Sequence, residues 1–298
     1  MGRTLILFFS AICIYTSTIA SAKAAKLDPK KIETASVSTY VTDLKSGKTL
    51  YKKNADIVMP IASITKLMTA MVVLDAKQPL TEKITFDQTD KERIYNGYSR
   101  IRMESQLSRS ETIRIALMSS ENLASAALAK SYPGGYDAFI KAMNKKAKSL
   151  GMKHTRFVDS SGLSPENVST AADLAKMVKA AHKYLQIRKY STTSVHTAYF
   201  KKPRYKLAYT NTNALARGKK WKLDLSKTGY LDVAGRCLAM IANVDGKKLV
   251  MVMLDAYGKM TPIGDAGRIK KWIQTGNSGK ISDSAHHYQR TKLSELAK

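Results

Sequence analysis

Two cysteines, five histidines and 23 acidic residues against 50 basic ones are the scarcities of this 298-residue chain, and each excludes something. Cys13 falls inside an apolar leader, so Cys237 is left alone and no internal disulfide framework is expected. Cys237 stands in a run continuing through Leu238-Ala239-Met240-Ile241, where a small apolar side chain suits burial better than catalysis. The histidines fit no Ser-His-Asp arrangement and no zinc-ligand spacing, so neither a metal nor a cofactor is expected. The shortage of acids leaves a formal charge of +27, which draws polyanions but reads equally as a solubilising surface. No zinc finger, RNA-binding aromatic motif or long basic run is present, so nucleic acid is not the expected partner.

Long apolar runs are missing too, except at the start. Arg3 precedes residues 5–14, apolar apart from Ser10, and Ala20-Ser21-Ala22 follows with small residues; Ala22-Lys23-Ala24 is a second candidate cleavage site. This order reads as a secretory signal peptide over residues 1–22, with an uncleaved anchor as the alternative, because the run is short for a spanning helix. Residues 23–298 are then the mature chain, exported, without a stable membrane anchor once the signal is removed.

Thr39-Tyr40-Val41-Thr42-Asp43 and Thr49-Leu50-Tyr51 read as strands around the turn Lys45-Ser46-Gly47-Lys48. Pro60 precedes a helical pattern over 62–76, and a mostly helical middle follows, clearest at 113–130, 136–150 and 171–184. Past about residue 220 the pattern returns to strands: 225–228, then 236–243 and 248–255 flanking the hairpin signal Asp245-Gly246, with a closing helix at 263–273. Strands, helices, strands, helix predicts an α+β fold, with an antiparallel sheet assembled from both ends of the chain and a helical lobe inserted between.

Three short motifs carry the chemistry: Ser63-Ile64-Thr65-Lys66, Ser120-Glu121-Asn122 and Lys227-Thr228-Gly229. Serine is a weak nucleophile until a base takes its proton, and positions i and i+3 of a helix share a face, so Lys66 can serve Ser63. Near the helix start the Ser63 N–H is unpaired and free to meet an oxyanion. A free lysine is protonated at neutral pH, so Lys66 needs burial or a nearby cation, and Lys227 is the candidate cation. Lys227 and Thr228 are donors suited to a substrate carboxylate, Gly229 allows a substrate backbone to lie close, and Ser120 and Asn122 can relay a proton and hold an amide. Taken singly, a serine-x-x-lysine or serine-x-asparagine reads as a solvated helix face. Each motif occurs once here, in the order that penicillin-binding proteins and class A β-lactamases share.

These residues resemble a low-molecular-mass penicillin-binding protein, and the resemblance is closest to D-alanyl-D-alanine endopeptidases of the penicillin-binding-protein 7 type. Residues 60–76, Ala116-Leu117-Met118-Ser119-Ser120-Glu121-Asn122, Tyr132-Pro133-Gly134-Gly135-Tyr136 and Thr155-Arg156-Phe157 are similar to that family's segments. The resemblance implies a DD-peptidase/β-lactamase-like fold: a five-stranded antiparallel sheet flanked by helices (about 35–80 and 205–275) plus a mostly helical lobe (about 85–200). Residues 278–298 are expected to be a polar tail. It further implies a periplasmic serine hydrolase that cleaves D-alanyl cross-links in peptidoglycan peptide stems, is acylated by β-lactam antibiotics, and uses the Tyr230 N–H as a second oxyanion donor.

Carboxypeptidase trimming of terminal D-alanine is the alternative within the family. The typical carboxypeptidase continues into a β-rich domain and an amphipathic anchor, whereas this chain runs on only through a hairpin, a helix and the polar tail, whose composition lacks a wide apolar stripe. A class A β-lactamase needs Glu-x-x-Leu-Asn to deacylate, and Glu166-Asn167-Val168-Ser169-Thr170 lacks the Leu-Asn. A catalytically silent wall-binding module would have no reason to keep Ser63, Lys66 and Lys227 together. If the leader is processed as read, N-terminal sequencing of protein from the cell envelope begins at about residue 23 to 25; a start at Met1 or Gly2 contradicts it.

Overall fold

The computed structural model describes residue 2 and residues 27–296, except 96 and 219. The leader reading of residues 1–22, residue 2 aside, falls outside the described residues, as do the last two positions of the tail. Five antiparallel strands form the central sheet in the order Thr49–Lys53, Ser38–Asp43, Lys247–Ala256, Gly235–Val244, Lys222–Leu231. The two ends of the chain meet where Ser38–Asp43 pairs with Lys247–Ala256, Val41 opposite Met251. This is the expected five-stranded antiparallel sheet.

Alternation along the central strands explains the layers. Cys237, Ala239 and Ile241 enter a core shared with the helical lobe, while Leu238, Met240 and Ala242 enter a second core on the opposite face. Period-2 side chains with both faces apolar make a strand that must be covered on both sides. Helix Thr261–Thr275 covers one face through Ala266, Ile269 and Trp272. Helix Ala171–Ala181 packs on the other, against the two central strands and Ser38–Asp43. Cys237 is buried, and burial pushes its thiol up to about 12, so it has no thiolate character at neutral pH.

Three elements differ from the sequence reading. The pattern over 113–130 is two helices, Arg109–Met118 and Asn122–Lys130, broken at Ser119-Ser120-Glu121, where Ser120 adopts φ +62°. Residues beyond 194 leave the helical pattern for a separate two-stranded hairpin, Val195–Phe200 with Tyr205–Thr210. The polar tail contains a helix, Asp283–Leu296, whose Tyr288 and Leu293 pack against the core and which is tied down by a few directed bonds. In it, Tyr288 Oη donates to Asp255 Oδ1 at 2.6 Å and Gln289 Nε2 donates to the Thr34 carbonyl at 2.8 Å. Among the described residues no helix is long and apolar enough to cross a membrane.

Candidate active site

Ser63 lies in a short 3-10 turn, Ala62–Thr65, that leads into helix Lys66–Asp75, so the helix begins one turn later than its apolar pattern suggests. Ala62 sits at φ +46°, and this bend presents Ser63 to the cleft. The edge strand Lys222–Leu231 passes close beside the turn. A Cβ at Gly229 would lie 3.1 Å from the Ala62 Cβ and the Ile61 carbonyl and 3.2 Å from the Ser63 nitrogen. Gly229 therefore answers to this internal approach of strand to turn as well as to the expected room for a substrate backbone.

The structure brings Ser63, Lys66, Ser120, Asn122 and Lys227 into one network. Lys66 is fully buried, and its Nζ donates to the Ser161 carbonyl at 2.6 Å and to Asn122 Oδ1 at 2.7 Å, and stands 2.9 Å from Ser63 Oγ. Two of those neighbours accept only. In its neutral form the amine has two N–H donors and one lone pair, and with those two acceptors served the lone pair is left for the Ser63 hydroxyl. Burial pulls Lys66 down to about 7, against an opposing upward pull from Asp159 and Glu121. Burial, one of the two expected causes, is the one that acts, and the part expected of Lys227 repulsion is not among the causes at Lys66. The repulsion is felt at Lys227 instead, which burial first and the Lys66 charge second hold well below the usual lysine range.

Lys227 Nζ donates to Ser120 Oγ at 2.9 Å and to the Thr228 carbonyl at 2.7 Å. Ser120 thereby bridges the helical lobe and the edge strand from its left-handed position. Thr228 shares a hydroxyl–hydroxyl bond of 2.6 Å with Thr212. Tyr230 is half-exposed, its ring under the Arg236 guanidinium at 3.6 Å and its hydroxyl bonded to Asp232, so the groups its side chain engages lie outside the Lys66 network.

Sequence reasoning missed the loop that completes the site. The Asp159 carboxylate accepts from the backbone N–H groups of Ser161, Gly162 and Ser164 at 2.5–2.6 Å. Buried Asn167 donates to Thr65 Oγ1 at 3.0 Å and accepts from the Val158 N–H at 2.7 Å, tying the loop to the nucleophile turn. At Gly162, a Cβ would fall 2.0 Å from the Ala62 carbonyl oxygen, and φ is +80°. This wrapped loop is what presents the Ser161 carbonyl to Lys66. The signal for it was Asp159-Ser160-Ser161-Gly162, an Asx-turn sequence. Glu166, by contrast, is largely exposed and pairs with Arg156 at 3.4 Å, and it is not among the residues that line the cleft.

The cleft holds about 500 Å³ and runs from Ser63, Ser120 and Asn122 past Thr212 and Thr228 to Arg217 and Lys259. Its lining includes three cations, Arg217, Arg236 and Lys259, and no acid. An anionic ligand with an amide beside its carboxylate suits such walls.

A family model described as D-alanyl-D-alanine carboxypeptidase matches residues 22–258. The chain is 47% identical to the D-alanyl-D-alanine endopeptidase of Escherichia coli K12 over 92% of its length and 88% of that protein's. It is 45% identical to the D-alanyl-D-alanine endopeptidase of Pseudomonas aeruginosa, over 96% of this chain and 92% of that one. Its fold superposes on a mutant of the Streptomyces K15 DD-transpeptidase with a TM-score of 0.76 at 27% identity, covering 81% of this chain and 98% of that one. Motifs, fold and relatives agree, and the chain belongs to the D-alanyl-D-alanine carboxypeptidase family of serine peptidases.

Proposed function

We propose that this protein hydrolyses D-alanyl cross-links in peptidoglycan through an acyl-enzyme on Ser63, and that it acts in the periplasm after removal of residues 1–22. The observation that carries the reading is the buried Lys66 Nζ at 2.9 Å from Ser63 Oγ, with its two other partners both acceptors. Lys66 takes the hydroxyl proton as Ser63 attacks the D-alanine carbonyl carbon, and the N–H groups of Ser63 and Tyr230 receive the oxyanion. The proton passes to the departing amine through Lys66 or Ser120, and a water later attacks the ester. Asn122 holds the substrate amide, while Lys227 and Thr228 take the carboxylate of the leaving residue.

The two lysines cooperate. Asp159 and Glu121 support a proton on Lys66, whereas the charge facing Lys227 is the like charge of Lys66. A carboxylate docked at Lys227 restores the positive charge there, and that charge favours a neutral Lys66 across the cleft. Substrate binding therefore helps to make the base. β-Lactams carry an amide carbonyl and a carboxylate in the same relation and should acylate Ser63. With Glu166 outside the cleft lining, the ester should persist, which separates this protein from a β-lactamase.

Endopeptidase action is favoured over carboxypeptidase trimming by likeness to endopeptidases at 47% and 45% identity over almost their whole lengths. Both reactions share the acyl-enzyme and differ in the leaving amine.

Two measurements follow. Because the neutral amine falls tenfold per pH unit below its pKa, the acylation rate with labelled penicillin should rise with pH and level off above about 7. Lys66→Arg should lose acylation at every pH, while Lys227→Arg keeps part of it; a flat profile, or an active Lys66→Arg, contradicts the base assignment. With purified muropeptides, cross-linked dimers should fall to monomers while monomeric pentapeptides keep their terminal D-alanine. Rapid D-alanine release with intact dimers would make the protein a carboxypeptidase.

A further inference from the structure

The hairpin Val195–Phe200 with Tyr205–Thr210 lies outside the catalytic network, yet its construction is specific. From residue 195 to residue 210 there is no Asp or Glu, and Lys201, Lys202, Arg204 and Lys206 crowd its outer half. Strand alternation sorts its side chains. Ala198 and Phe200 point inward and are buried, Phe200 stacking on Tyr205 at 4.6 Å between ring centres. Val195 and Tyr199 point outward, 67% and 71% exposed. Tyr199 stands directly opposite Lys206, Thr197 opposite Ala208, and Val195 opposite Thr210.

The outward row begins at the active site and leads away from it. Thr210 lines the catalytic cleft, and at about 3.4 Å per residue the path from Thr210 to Arg204 is roughly 20 Å. At the far end Tyr199, Lys201, Arg204 and Lys206 border an open groove of about 400 Å³. The backbone beneath is fixed. Gln106 and Lys201 exchange both backbone bonds at 2.7 and 2.9 Å, Arg100 donates to the Ala208 carbonyl at 2.7 Å, and the Arg102 N–H donates to Tyr205 Oη at 3.0 Å. A surface serving solubility alone needs neither a large exposed ring between cations nor a pinned backbone under them. Exposed aromatic faces pack against the apolar faces of sugars, and flanking cations meet carboxylates.

We propose that the outward face of this hairpin, from Thr210 at the cleft to Arg204 at its tip, is a second binding surface for the polymeric substrate. It holds a carboxylate-bearing sugar–peptide strand beyond the scissile bond, with Tyr199 against a sugar ring and Arg204 and Lys206 on peptide carboxylates. The substrate class rests on the proposed function, while the surface itself rests on charge complementarity and on continuity with the cleft. It concentrates part of the large positive charge on one path into the active site, and so retains the enzyme on an insoluble network between cuts.

The test compares wild type with a Tyr199→Ser, Arg204→Ser, Lys206→Ser triple variant and with a variant that keeps the charges as Arg204→Lys and Lys206→Arg beside Tyr199→Ser. Sedimentation with purified insoluble peptidoglycan should show the triple variant binding about tenfold more weakly at low salt, the gap closing as salt screens the charges. The charge-keeping variant should fall between the two. Penicillin acylation, which uses only the cleft, should stay within about twofold of wild type in both variants. Equal binding by the triple variant and wild type overturns the proposal, as does an acylation loss that parallels the binding loss. Unchanged wall binding with lost affinity for phosphatidylglycerol vesicles would assign the face to a membrane and overturn it as well. If the wild type neither acylates nor cleaves, the enzymatic reading fails, but the binding difference still reports on the surface.

Discussion

A primary amine buried at the foot of a cleft, with an acceptor on each of two sides, has one direction left for its lone pair, and at Lys66 that direction is Ser63. The geometry works only while the amine is neutral, and burial keeps its proton affinity low enough for that near neutral pH. A charged Lys66 would offer all three hydrogens outward and would hold Ser63 as an acceptor, with nothing to take its proton. The site is therefore a problem of keeping water and negative charge at a controlled distance from one nitrogen.

Much of the surrounding structure serves that control. The Asp159 carboxylate gathers three backbone N–H groups of one loop, and the loop it shapes brings the Ser161 carbonyl to Lys66. The same carboxylate draws the lysine proton affinity upward, so its position balances loop order against base strength. Gly162 and Gly229 allow the loop and the edge strand to approach the Ala62–Thr65 turn from two sides, closer than a Cβ permits without adjustment. Both cores of the sheet hold the edge strand in register, so Lys227 and Gly229 arrive at a fixed height beside Ser63 and Ser120.

The sheet and the nucleophile helix were legible because their signals are strong and local. Asp245-Gly246 between two apolar runs fixes a hairpin, and the apolar spacing after Pro60 fixes a helix, although its first turn tightens to a 3-10 form around Ser63. The break at Ser120 was not legible, since a left-handed serine carries no glycine or proline to announce it. The Val195–Thr210 hairpin has the right alternation, but its tip, Lys201-Lys202-Pro203-Arg204, lacks the usual Asn-Gly or Asp-Gly turn pair, and the preceding helical run draws the reading onward. The tail helix was hidden for a different reason. It has few apolar residues, and it docks through Tyr288 and Leu293 against the core and through single bonds such as Tyr288 to Asp255 and Gln289 to Thr34, whose partners lie far away in sequence. Among site residues, the motif serines and lysines were readable by spacing, whereas Asp159 is signalled only by an Asx-turn pattern and Asn167, which links the Val158 N–H to Thr65 Oγ1, by no spacing rule.

In the function proposed here the charge excess and the catalytic network operate at two ranges: screened attraction would draw the protein toward an anionic polymer, and two buried lysines would decide what happens at one amide bond. The central claim concerns the second of these, that Ser63 is the atom to which the acyl group is transferred. Mass spectrometry of peptides after brief exposure to benzylpenicillin tests it most directly. The account predicts a single penicilloyl adduct on the peptide holding Ser63, persisting well beyond mixing and absent from Ser63→Ala. An adduct that survives Ser63→Ala, or one that maps to another peptide, would contradict it.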